Sequence, residues 1–389
     1  MPPTAAAISD ANNRTGGNGT VTAMPDSRIH LVVLFGGQSA EHDVSCVTAA
    51  HVLAAAAAEP AKYRITPIGI STDGQWMLAR EAAAALAAGP AALPARLDPE
   101  GTALAPTVML GGIDDSPEQT VVLPLLHGPL GEDGTVQGLL ELANVAYVGA
   151  GVLSSALAMD KAMAKQLTAA AGLPQASYRA LRERDVTPAT AELVAGELGL
   201  PCFVKPANMG SSVGVSKAHD LDELRRAIEH ALTYDEWIVV EEAITGREIE
   251  LAVIGNDDPF VSVPGEIIPG DEFYSYDDKY VNDTSSGVIP ADLTAEQAAA
   301  AQDLALAIYR TLRCEGLART DFFLEERRAD GSPGRGFLVN EVNTMPGFTP
   351  ISMFPKLLMA SGWTYAEIID RLVELALERH HRRRRNTKH

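Results

Sequence analysis

The chain has 389 residues, of which 46% are hydrophobic, and carries a formal charge of −20 at neutral pH. That length supports two or three domains around a sizeable core, and the acidic balance argues against broad binding to nucleic acid or anionic membranes. The three cysteines, Cys46, Cys202 and Cys314, show no C-x-x-C spacing and cannot all pair. Each therefore reads as a small buried hydrophobe in a reducing compartment, which fits a cytoplasmic protein.

Residues 1–28 are small, polar and dotted with proline and glycine, and read as a disordered extension without the apolar segment of a secretory signal. IHLVVLFGG (29–37) is a continuous apolar run ending in two glycines, which predicts a buried strand. VSCVTAAHVLAAAAA predicts a helix, YRITPIGI a second strand, VVLPLLHG (121–128) a third, GTVQGLLELANV a helix and AYVGA a further short strand. Strands alternating with helices imply a mostly parallel sheet covered on both faces, so residues 29–150 form one α/β domain. The Ala- and Pro-rich span 81–119 has weak signals and reads as helix plus loop. The uncharged stretch from Leu142 to Met159 is long enough to raise the question of a membrane, but it holds Asn144, Gly149, Gly151, Ser154 and Ser155. It reads as strand, glycine turn and helix start, with no membrane insertion.

From residue 151 the style changes. One helix, SSALAMDKAMAKQLTAAAG, leads to PCFVKPANMGSSVGVSKA and then to a helix in DLDELRRAIEHAL. WIVVEEAI and EIELAVIG follow as strands of a hairpin. Residues 255–290 look loop-rich, a helix is expected at 294–313, and LARTDFFLEE and GFLVNEVN are two more strands. A helix near 364–379 precedes the basic end RHHRRRRNTKH, which reads as a solvated tail.

Several positions carry chemistry. Glu341 and Asn343 lie two apart at the end of a strand, so they share a face, with Val342 opposite. Two hard oxygen donors side by side suit Mg²⁺, though a solvated strand end has the same pattern. Arg319 and Asp321 repeat the spacing on the preceding strand, where a structural salt bridge is the plain alternative. If the two strands pair as a hairpin, Asp321, Glu341 and Asn343 converge as three oxygen donors. The loop NMGSSVGVSK (208–217) could bring backbone N–H groups and the Ser211 and Ser212 hydroxyls to phosphate oxygens; it lacks the G-K-[ST] ending of a Walker loop, and a simple turn is equally open. Lys205, on an otherwise apolar strand, needs an anion to offset its desolvation. Lys161 is a second candidate cation. Glu241 and Glu242 point to opposite faces, one able to accept from an amine or hydroxyl and the other towards solvent.

The segments LFGGQSAEHDVS, LLHGPLGEDGTVQGLLE, GVLSSALAMDK, VKPANMGSSVGVSK, FYSYDDKY, ARTDFFL and NEVNTMPGFTPISMFP occur here in one order. In these the chain resembles the D-alanine–D-alanine ligases of the ATP-grasp superfamily, over about residues 30–375. The resemblance implies an α/β and α+β fold: a Rossmann-like parallel-sheet domain (29–150), then a two-lobed ATP-grasp fold with a central lobe (151–254) and a C-terminal lobe carrying an ω-loop (255–379), before a basic tail (380–389). It implies ATP-dependent joining of two D-alanines through an acyl phosphate, for peptidoglycan precursor synthesis.

Carried over by position, Lys161 and Lys205 would bind ATP phosphates beneath the Ser211–Ser212 loop. Glu241 would accept from the adenine amine, the Ile244 backbone would touch the ring and Glu248 would hold the ribose. Asp321, Glu341 and Asn343 match the ligands of Mg²⁺ (or Mn²⁺), two ions in this family. Glu41 matches the residue that binds the first substrate's ammonium, Arg319 and the N–H of Gly347 the oxyanion site, and Ser352 a contact to the second substrate's carboxylate. Lys279 and Tyr280 end the ω-loop, and Tyr280 would bond with Ser211 and Glu41. That tyrosine favours an amine as second substrate, with D-alanine–D-lactate or D-alanine–D-serine ligation the nearest alternative. The family is usually homodimeric.

Overall fold

The computed structural model describes residues 28–107, 118–268 and 286–383. The extension expected at 1–28 (but for Arg28), Lys279 and Tyr280 with the rest of FYSYDDKY, and the last six residues of the basic tail lie outside the described residues.

Three sheets organise the chain. In the first, the order is β4 (Gly101–Ala103), β3 (Trp76–Ala79), β2 (Tyr63–Ile70), β1 (Ile29–Gly36), β5 (Thr120–Pro124), β6 (Ala146–Tyr147). The strands β2, β1, β5 and β6 run parallel, and β3 and β4 add an antiparallel edge. Parallel neighbours need crossovers. They are supplied by α1 (His42–Ala57) between β1 and β2, and by α3 (Thr135–Leu142) between β5 and β6. Between them, α2 (Arg80–Ala88) and β4 fill part of the weak Ala/Pro span.

Both faces of this sheet are apolar, as a buried parallel sheet requires. Val32, Leu34 and Val122 pack with Val136 and Leu140 of α3. Leu31, Val33, Phe35 and Val121 face the other way, against α1 and against Leu372, Val373 and Ala376 of the last helix, α10 (Tyr365–Arg383). The C-terminal helix thus closes the N-terminal sheet. Arg379, buried on α10, seals the junction by donating to the carbonyls of Gly149 and Tyr147 and stacking over the Tyr147 ring at 4.2 Å.

The stretch expected as one helix after residue 151 is two, α4 (Val152–Met159) and α5 (Lys161–Ala170). Asp160 sits between them in an extended conformation and accepts from the Met163 N–H at 3.0 Å, so it is an N-cap and not a helix-interior residue. The apolar periodicity runs through both pieces and hid the break.

The second sheet is antiparallel, in the order β7 (Tyr178–Arg182), β10 (Trp237–Glu242), β8 (Cys202–Pro206), β9 (Ser216–Ala218). It packs beneath α6 (Thr190–Leu198) and α7 (Leu221–Ala231), which Asp220 caps at 2.8 Å. The third sheet runs β14 (Ser286–Val288), β13 (Gly265–Ile268), β11 (Arg247–Gly255), β15 (Gly316–Arg327), β16 (Pro333–Asn343), with β12 (Phe260–Val261) on β11. The hairpin expected between WIVVEEAI and EIELAVIG does not form. β10 and β11 are consecutive in sequence but belong to different sheets, so the chain changes layer at Ala243–Gly246 and leaves a cleft between them. The helix α8 (Ala295–Thr311) covers the third sheet and starts with a capping box between Thr294 and Gln297. The three cysteines are buried and free. Among the described residues, no helix is long and apolar enough to cross a membrane.

Candidate active site

The hairpin of β15 and β16 forms as expected. Asp321 lies opposite Glu341, and Arg319 opposite Asn343. The register shifts just beyond, with Phe322 opposite Val339, so that Asn340 is an extra residue on β16. Such a bulge re-aims side chains at the end of a ladder. Val342 is buried in the core with Phe322 and Leu251, and Glu341 and Asn343 are half-buried on the other face. Arg319 grips Asp321 with two hydrogen bonds, 2.8 and 2.7 Å, and lies 3.2 Å from Glu250 on β11. Asn343 donates its amide to Asp321 at 2.9 Å. For Asp321 and Asn343 to offer oxygen to one cation, that amide must turn over.

Facing this hairpin is a group of lysines. Lys161 opens α5 and donates to the Met209 carbonyl at 2.6 Å, which ties the helix start to the glycine-rich loop. Burial pulls its pKa down. On β8, Lys205 lies 3.2 Å from Glu241 of β10 and 3.4 Å from the Asn340 side-chain oxygen, so its anion is a protein carboxylate. Lys165, one helical turn beyond Lys161, reaches the same carboxylate at 3.4 Å, with both side chains only 4% exposed. Glu242, expected to face solvent, is half-buried and accepts from the Ser177 N–H and from Arg335, both at 2.6 Å.

Loops from the first domain complete the surroundings. Ser45 accepts from the Gly36 N–H at 2.8 Å and donates to the Leu125 carbonyl, which fixes the start of α1 over the ends of β1 and β5. This places Glu41, at the α1 N-cap, inside the protein at 8% exposure. Ser211 of the glycine-rich loop donates to its carboxylate. A Cβ on Gly210 would lie 2.9 Å from a Glu41 oxygen, so a side chain there would push the Glu41 carboxylate aside. Glu132 is a second buried acid here and accepts from the Gly128 N–H at 2.6 Å. Burial, then the neighbouring Glu41 charge, push its carboxyl up to about 8. His127, also buried, holds the Met345 carbonyl at 3.0 Å and so joins this loop to the segment after β16.

Between the second and third sheets these groups enclose a cavity of about 350 Å³. Lys161, Lys205, Ser211, Ser212, Glu241, Ile244 and Glu248 line it, as do Arg319, Asp321, Glu341 and Asn343. Phe203, Met209 and Ile267 add apolar wall. Glu41 adjoins through Ser211. Gly347 and Ser352 lie past the end of β16, outside this lining, and a Cβ on Gly347 would be 3.1 Å from the Ser352 hydroxyl. That hydroxyl caps the turn to Thr349 at 2.8 Å, at the start of α9 (Met353–Ala360).

Sequence reasoning missed Lys165, Glu132 and His127. The first has a signal, because its i+4 spacing from Lys161 puts both on one helix face. The other two stand in LLHGPLGEDG, where nothing local says that the loop is folded inward.

A pocket of this size, with cations on one side and oxygen donors on the other, fits a nucleoside triphosphate and its metal. Among the described residues, no group of three or more His, Cys, Asp or Glu side chains is arranged to hold a metal ion. Two carboxylates and an amide are what remains at the hairpin, a sparse set that suits an ion keeping phosphate and water in its shell.

Residues 30–150 match the family described as D-ala D-ala ligase N-terminus, and residues 167–374 match D-ala D-ala ligase C-terminus. The chain belongs to the D-alanine–D-alanine ligase family. A D-alanine–D-alanine ligase from Geobacillus thermodenitrificans is 47% identical over 358 residues, 90% of this chain and 95% of that protein. The corresponding protein of Bacillus cytotoxicus is 46% identical, with 91% and 97% covered. Among solved structures, the D-alanine–D-alanine ligase from Coxiella burnetii superposes with a TM-score of 0.74 at 33% identity, covering 92% of this chain and 96% of that one. A D-Ala:D-Ser ligase from Enterococcus faecalis reaches 0.70 at 32% identity, with 90% and 99% covered. The ATP-grasp ligase architecture expected from the motifs is the one found. As a ligase of this family the protein uses ATP with a divalent metal.

Proposed function

We propose that this chain joins two D-alanines into D-alanyl-D-alanine through a D-alanyl phosphate, for peptidoglycan precursor synthesis. One observation carries the site assignment: the β15–β16 register puts Arg319, Asp321, Glu341 and Asn343 on the wall of the cavity that Lys161 and Lys205 also line. A carboxylate is a poor electrophile. The first D-alanine's carboxylate oxygen therefore bonds to the γ-phosphorus as the bond to ADP breaks. The second D-alanine's amine then bonds to the acyl carbon, phosphate leaves and the amine gives up a proton. Little covalent chemistry falls to the protein, which must position and neutralise.

Lys161 and Lys205 face the phosphates, the Ser211–Ser212 loop covers them, and Ile244 and Glu248 take the base and ribose. Glu241 receives the adenine amine. Asp321, Glu341 and Asn343 hold Mg²⁺, two ions by the family pattern, which when bound offset phosphate charge. Glu41 holds the first ammonium. Arg319, with the N–H of Gly347, stabilises the developing oxyanion, and Ser352 receives the second carboxylate. Lys279 and Tyr280 keep the substrate-binding roles that the family pattern gives them. β11 pairs within the third sheet, which supports a boundary between the two ATP-grasp lobes just before Arg247, earlier than the expected 254. A homodimer in the cytoplasm completes the reading.

A phosphate-release assay across D-alanine, D-serine, D-lactate and L-alanine, with product analysis, tests it. D-alanyl-D-alanine should dominate. Depsipeptide as the main product near pH 7 would overturn the choice of second substrate. Glu341→Gln should remove most turnover with the circular-dichroism spectrum unchanged, and near wild-type activity in that variant would overturn the metal assignment.

A further inference from the structure

Lys165 has no place in the roles above. It is absent from the cavity lining, yet it is a lysine at 4% exposure, held 3.4 Å from Glu241 with its ammonium over the Tyr178 ring at 5.5 Å. Tyr178 stands opposite Glu241 across β7 and β10 and shares its face, the one turned away from α6 and α7, so Lys165 meets the carboxylate from α5 on that face but outside the cavity lining. Lys205 reaches the other Glu241 oxygen at 3.2 Å. The carboxylate is clamped between two ammonium groups, one lining the cavity and one outside its lining.

An ionised carboxylate only accepts hydrogen bonds. A neutral one could present O–H to a carbonyl. Which it is decides the nucleobase, because adenine carries an amine at C6 where guanine and hypoxanthine carry a carbonyl. Burial alone would push the Glu241 carboxyl up, but Lys165 and then Lys205 outweigh it and hold it below the usual range. Lys205 is shared with the Asn340 side-chain oxygen and borders the cavity, where a phosphate would compete for it. Lys165 has no such competitor at the cavity surface.

We propose that Lys165 is a positioning residue that sets purine choice: from outside the cavity lining it fixes Glu241 as a charged, acceptor-only group, so that the site takes adenine and rejects a 6-carbonyl purine. The inference rests on the reading that Glu241 meets the C6 substituent. A site built to bond one such group rejects its replacement strongly.

The test compares ATP with inosine triphosphate as substrates in D-alanine-dependent phosphate release. In Lys165→Met the ATP preference in kcat/KM should fall by roughly tenfold or more, through the KM for ATP, with kcat at saturating ATP and the KM for D-alanine within about twofold of wild type. Lys165→Arg, which keeps the charge, should restore the preference; Lys165→Gln carries the same expectation as Met should the Met variant fail to fold. An unchanged preference in folded, uncharged variants would overturn the inference. Glu241→Gln separates the two layers. If it changes the preference while the Lys165 variants do not, only the role of Lys165 falls; if neither does, the placement of Glu241 at the base falls too, and the inference with it.

Discussion

Glu241 and Glu132 line the same cavity in opposite electrostatic company. Glu241 lies between Lys165 and Lys205, and its carboxyl is held low despite burial. Glu132 has Glu41 as its neighbour, accepts from the Gly128 backbone N–H and is pushed up to about 8. One end of the cleft is already neutralised and suits an uncharged donor such as an adenine amine. The other holds excess negative charge and suits a cation, which is what the ammonium of an amino acid supplies. The same side chain therefore serves two kinds of ligand, and the distinction lies in the neighbours.

The sharpest way to break this contrast is to remove the clamped acid. Glu241→Ala leaves two ammonium groups facing each other where one carboxylate separated them. Breaking a buried ion pair from one side costs on the order of 3–5 kcal/mol, because a charge stays behind without compensation. Urea denaturation should show a loss of that size. Little loss would mean that Glu241 is not the group that keeps the lysines charged.

The matching change at the other end acts on binding and not on folding. Glu41→Gln keeps the shape and the bond from Ser211 but removes the charge that the ammonium needs. Loss of one partner of a desolvated charge pair costs about 2 kcal/mol or more, so kcat/KM for D-alanine should fall by roughly 30-fold or more. The melting temperature should hold or rise, since a like-charge pair is relieved. A D-alanine KM that does not move would place the ammonium elsewhere.

The contrast between these ends was only half legible in the chain. Alternation alone put Glu341 and Asn343 on one face and Val342 on the other, and the same rule aligned Arg319 with Asp321; all of this is a property of one or two neighbouring strands. Glu41 and Ser211 are 170 residues apart, and their contact depends on three loops meeting, so periodicity says nothing of it. The family motifs named both residues but not the acid beside Glu41, Glu132. The missed break at Asp160 is of another kind: a capping aspartate reads in sequence like any surface acid, and only its extended backbone marks the start of α5. The β10–β11 error came from treating consecutive strands as partners, where the protein instead separates them to make its cleft.

The smallest expected effect is the most discriminating for the electrostatics. Glu132 faces Glu41, Glu341 and Lys161, and accepts from Gly128. Its carboxyl titrates near 4.5 in an unfolded chain and at about 8 in the folded one, so between those values the native state holds more protons than the unfolded state. Stability must therefore fall as pH rises through that window. Glu132→Gln removes the titration but keeps an acceptor for the Gly128 N–H. The variant and wild type should melt alike near pH 4.5, and by pH 8 the variant should melt higher, by about 2 °C or more. Adding D-alanine should close part of that gap by stabilising the wild type, because an ammonium between the two acids does for Glu132 what Lys165 does for Glu241. Parallel melting curves across the whole pH range would show that Glu132 is charged in the folded protein, and the two ends of the cleft would then differ far less than the burial of their acids implies.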